Sequence, residues 1–190
     1  MTTVLTPGKL SLAAWLCVSS AVLQVPTIGL ELFLAANSLN DGAMNYAVHA
    51  AGALLGIVAS AFCAAMFTIL RVFLEEKHGF YKASQPIRVV VYIELLVMFL
   101  SSTSLIFPEF AANGWLGLIL YYCACIARTV AAIKMLGLAQ TASQGLLRAM
   151  CIAEIVFGVC CATVILLPVG ILATMVSDVL LAIVFFNAAD

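Results

Sequence analysis

Two apolar stretches of this chain each carry a carboxylate near their centre. Residues 88–100 read RVVVYIELLVMFL, with Glu94 among Val, Tyr, Ile and Leu. Residues 148–160 read RAMCIAEIVFGVC, with Arg148 and Glu154 standing as Arg88 and Glu94 do in the first. A third apolar run, YYCACIARTVAAI (121–133), holds a guanidinium at Arg128. An isolated charge in lipid costs several kcal/mol, roughly, unless it is paired or hydrated. Arginine is the cation suited to such a place, because its planar fork can take a carboxylate on each side. Glu94, Glu154 and Arg128 therefore read as one inner cluster. Two acids against one base leave a surplus negative charge, or a glutamate that carries a proton. A protonatable surplus carboxylate is what a proton-coupled site requires. The competing reading is a cluster that only sets helix register.

A second set lies elsewhere along the chain. Asp178 interrupts MVSDVLLAIVFF (175–186), and Gln24 precedes Pro26 in LQVPTIG (23–29). Proline removes a backbone donor and frees a carbonyl inside a helix. Broken or kinked helices often border sites in membrane proteins. His49 and the run Ser101–Ser104 add further polar groups. Asp178, Gln24 and His49 are expected to form an outer site open to the far side. The hydroxyls of 101–104 are expected to bond back to their own helix.

The elements that hold these residues follow from composition. Hydrophobic residues make up 65% of the 190, charged residues 9%, and mean hydropathy is +1.20. Soluble domains carry roughly 25% charged residues. A chain this short cannot hide so much apolar surface from water. A membrane span needs about 20 apolar residues. Six candidates occur, near 10–35, 45–71, 87–107, 114–134, 146–167 and 169–187. The last break, LPVG at 167–170, rests on Pro168 and Gly170.

The eight Lys and Arg residues cluster at one end of these spans, around 71–88 and 128–148 and at Lys9. By the positive-inside tendency that end is cytoplasmic, which places both termini inside. At 1.5 Å per residue, Glu94, Glu154 and Arg128 then lie about 10 Å from the cytoplasmic edge, and Asp178 about 13 Å from the outer one.

An internal repeat supports the grouping. YKASQPIRVVVYIE…LIFP (81–108) aligns with TASQGLLRAMCIAE…ILLP (141–168), and Arg88, Glu94 and Pro108 match Arg148, Glu154 and Pro168 at one offset. The expected fold is all-α: six transmembrane helices in a single domain, 1–190, arranged as three parallel hairpins near 9–72, 86–135 and 146–188.

Other chemistry has little support. The seven cysteines all fall inside spans, with no C-x-x-C. Cys123 and Cys125 point to opposite sides of a helix and cannot grip one metal. His49 and His78, the two histidines, sit at opposite ends and cannot pair on a haem. No phosphate loop or nucleophile motif occurs. No cofactor, metal or catalysis is expected, and a net charge of −1 gives no reason to expect nucleic acid. The GALLG segment places Gly52 and Gly56 on one helix face, where a helix, a second copy or a partner membrane subunit can pack closely. The expectation is thus a multi-pass protein of the cytoplasmic (inner) membrane that binds or passes a small solute or ion, with proton coupling. The alternative is a non-catalytic membrane subunit or scaffold.

Overall fold

A computed structural model describes residues 5–38, 46–107, 114–141, 145–161 and 166–189. These residues form six helices: α1 Pro7–Ser38, α2 Tyr46–His78, α3 Ser84–Ile106, α4 Gly114–Thr141, α5 Gly145–Cys161 and α6 Leu167–Ala189. No strand occurs among the described residues.

Local chemistry sets the ends. Pro7 opens α1, where a missing N–H costs nothing, and the Thr6 carbonyl accepts from the N–H groups of Lys9 and Leu10. Gly79 ends α2 at φ 59°, a left-handed conformation that glycine adopts without a Cβ clash, and the Phe80 N–H returns to the Leu74 carbonyl. Pro86 lies in the first turn of α3.

Three boundaries differ from the expectation: α2 runs on to His78 and α4 to Thr141, past the expected ends at 71 and 134, and the start of α6 also differs. Leu167, Pro168 and Gly170 belong to α6 rather than to the break before it. Proline near a helix start tolerates the helix, because first-turn N–H groups have no intrahelical acceptor. The dipeptide signal marked the beginning of a helix, and the separation from α5 falls within 162–165, outside the described residues. Pro108, its partner in the repeat, also lies outside them.

The helices pack as a closed ring. α1 contacts α2, α2 contacts α3, and so on to α6, which returns to α1. One apolar core joins Leu10–Cys17 of α1, Cys63–Leu74 of α2, Ile87 and Val90 of α3, Ala127–Met135 of α4, Leu147–Cys151 of α5 and Leu181–Phe185 of α6. The first halves of α1, α3 and α5 thus meet the second halves of α2, α4 and α6. Successive helices therefore alternate in direction. Most of the chain's basic residues lie at this packed end.

Close approaches fix the ring. A Cβ on Gly158 of α5 would overlap the Thr129 hydroxyl of α4. One on Gly56 would stand 3.4 Å from Ser101 Oγ, so Gly56 is turned to α3 within the chain. Phe73 and Phe185 meet edge to face at 5.8 Å inside the core.

Five helices contain segments long and apolar enough to cross a membrane: Pro7–Thr27, Tyr46–His78, Ser84–Ile106, Ile119–Leu138 and Val169–Ala189. The described part of α5 has 17 residues. Large apolar side chains also stand exposed on the outside of all six helices, among them Val22, Leu54, Phe99, Ile126, Val159 and Leu172. A monomer in water rarely shows so much contiguous apolar surface. The surface is consistent with a membrane location.

Candidate functional site

Beyond the packed core, towards the other end of the ring, lies a partly open cavity of about 670 Å³. Its walls come from Ser20, Gln24 and Thr27 of α1, Ala59–Met66 of α2, Glu94–Ser101 of α3, Leu120–Arg128 of α4, and Ile171 and Asp178 of α6. On α1, α2, α3, α4 and α6 the lining residues lie mostly beyond the shared core, towards the other end of the ring. The cavity is therefore floored by that core and lies on the side away from most of the basic residues.

Arg128 stands at the floor. Its Nε donates to Glu154 Oε2 at 3.0 Å and its Nη2 to Glu154 Oε1 at 2.8 Å. The Phe67 and Phe157 rings lie 5.4 and 4.9 Å from its Cζ. Edge and faces of the guanidinium are thus both held, a geometry that point-charged lysine could not share. Ser177 Oγ donates to Glu154 Oε1 at 2.6 Å. Glu154 is buried, and its charge is met by three donors.

Asp178 follows Ser177 directly and is 2% exposed. Ser20 Oγ and Gln24 Nε2 donate to it at 2.9 and 3.1 Å, both on Oδ2. Glu94 accepts from the Cys63 thiol at 3.3 Å, and a thiol is a weak donor. Arg128–Glu154 is a buried ion pair, and Arg71 and Glu75 of α2 form a second, half-buried one. Glu94 and Asp178 face the cavity without a basic partner.

Arg128, Glu94, Asp178 and Gln24 all line this one cavity, and Glu154 backs its floor through Arg128. Sequence spacing separated an inner cluster from an outer site. The adjacent Ser177 and Asp178, bonded to one set each, make the two sets continuous. His49 stands apart: its Nε2 lies 3.3 Å from the Ser104 carbonyl, outside the cavity wall. Ser102, Thr103 and Ser104 bond back to carbonyls of α3, as their type predicts. Thr27 does the same to Leu23, one turn before it and beside Pro26.

Sequence reasoning missed Ser20, Ser177 and Cys63 as partners of the carboxylates. For Ser177 a signal existed, since it directly precedes Asp178 in an apolar helix. Ser20 stands one helical turn before Gln24, which puts both on one face. Cys63 had no distinguishing signal among so many apolar residues.

At the packed end a smaller pocket of about 240 Å³ lies between Phe73, Lys77, Leu147 and Val184. Met66 lines the large cavity and Phe73 this pocket, so about 10 Å of α2 separates them at 1.5 Å per residue. Leu70, Ile87, Val90 and Met135 fill the layer around that stretch of α2. No group of three or more metal-binding side chains occurs among the described residues. No known protein family matches the chain, and no curated protein or solved structure matches it.

Proposed function

We propose a multi-pass protein of the cytoplasmic membrane that takes a small solute or ion into the large cavity and passes it inward. The observation that carries this reading is the cavity itself, lined by Glu94, Asp178 and Arg128 and backed by the apolar core. Its volume falls within the roughly 300–1,000 Å³ typical of ligand sites. Charged groups held inside an apolar ring are expensive, and intramembrane ionisable residues by default mark a pathway or site.

In this reading both termini lie in the cytoplasm, the cavity opens outward, and three parallel hairpins form the ring. The layer between Met66 and Phe73 is the barrier that must part for inward release. The carboxylates in excess of Arg128 supply a place for a coupled proton.

The test is thiol access. Ala124 lines the cavity, whereas Ala131, two turns on in α4, is buried in the core. In folded detergent-solubilised protein, neutral methyl methanethiosulfonate should modify Ala124→Cys rapidly and Ala131→Cys hardly at all. Cys123, Cys125 and Cys63 are first replaced by Ala, so that the introduced thiol is read without its exposed neighbour Cys123 or the cavity-lining Cys63. Equal inertness at both positions would mean a solid interior, and would favour a scaffold that packs against other membrane proteins.

A further inference from the structure

We infer that the occupant of the cavity is a small amphiphilic organic cation, an alkylammonium-like amine, bound between Asp178 and Glu94. This rests on the reading of the cavity as a solute site and names the class of solute.

Charge comes first. Arg128 is already matched by the two-pronged bond to Glu154. The charged side chains left on the wall are Glu94 and Asp178, both acidic and neither paired with a base. A cleft of one sign with low-dielectric walls concentrates the opposite sign.

Hydrogen bonding points the same way. Both donors to Asp178 fall on Oδ2, leaving Oδ1 for a donor from the occupant. Glu94 receives only a thiol. An ammonium group carries N–H donors that both carboxylates can accept, and charge-assisted bonds of this kind are the strong ones.

Size and wall chemistry exclude a bare metal ion as the best fit. A cavity of about 670 Å³ is far larger than one cation. A hard divalent ion asks for about six or more oxygen ligands. No cluster of three or more metal-binding side chains is present among the described residues. Val97, Leu100, Leu120 and Ile171 instead present apolar surface that an alkyl body would cover.

The experiment uses the same Ala124→Cys protein with reagents of different charge. Rates are compared for 2-(trimethylammonium)ethyl and 2-sulfonatoethyl methanethiosulfonate, each divided by its rate with free 2-mercaptoethanol. The cationic reagent should be favoured by about tenfold or more. Adding Glu94→Gln and Asp178→Asn should bring the ratio close to one. n-Butylammonium should slow labelling by the neutral reagent, and sodium at equal ionic strength should not. A ratio near one, or an anionic preference, with the neutral reagent still reacting, would overturn the cation assignment and leave the cavity intact. Equal protection by sodium would overturn its organic character. Failure of the neutral reagent itself would instead sink the solute-site reading.

Discussion

Arg128 of α4 and Glu154 of α5 are joined by two near-parallel hydrogen bonds, 3.0 and 2.8 Å, beneath a cavity whose other two acids have no base. The ring of helices has been closed at this point by the only cation in the cavity wall among the described residues. Removing one partner of such a buried pair typically costs about 3–5 kcal/mol, because the other charge is stranded. Arg128→Met and Glu154→Leu should each lower thermal stability by about that much. The double variant should recover a large part of the loss. Equal stability of Arg128→Met and wild type in a detergent melt would show that the pair contributes nothing.

Glu94 should behave differently from Glu154. Its one described bond is from a thiol, so Glu94→Gln should change stability by less than about 1 kcal/mol. A loss comparable with that of Glu154→Leu would mean that Glu94 also pairs with Arg128.

Asp178→Asn keeps an oxygen that can accept from Ser20 and Gln24 while removing the charge. The variant should fold, with a melting temperature close to wild type, and should lose most of the protection by n-butylammonium. Retention of protection with the Asn side chain would place the cation elsewhere in the cavity.

Gly158 allows α4 and α5 to touch at Thr129. Gly158→Ala forces a methyl onto the Thr129 hydroxyl and should cost about 1–3 kcal/mol, as overpacking does. Adding Thr129→Ala should relieve part of the cost. A double-mutant cycle in which the two changes are strictly additive would place the strain somewhere else.

Orientation is checked by side-specific labelling. If the proposed orientation holds, with the basic residues inside, a cysteine at Asn113 should react with an impermeant maleimide in intact cells, and one at Lys82 only in inverted vesicles. The reverse pattern would turn the cavity mouth towards the cytoplasm.

The helical class, the six helices of the described residues and the approximate start of each were legible in the sequence. Long apolar runs separated by polar breaks leave few alternatives, since a backbone in lipid must satisfy its own hydrogen bonds. It also pointed to Glu94, Glu154, Arg128, Asp178 and Gln24, because a charge or amide inside such a run needs a reason. LPVG was read as a break because proline and glycine signals do not distinguish the end of one helix from the first turn of the next. Which acid takes the arginine was not legible in the sequence and came from packing. Depth along a helix axis follows from 1.5 Å per residue, but rotation about the axis and the choice of neighbour depend on packing of all six helices. That packing gave Arg128 to Glu154, left Glu94 to the cavity with Cys63, turned Asp178 towards Ser20 and Gln24, and set His49 against the Ser104 carbonyl instead. It also placed large buried side chains at one end and small or polar ones at the other, and so made a floor and a cavity from helices of nearly uniform hydrophobicity.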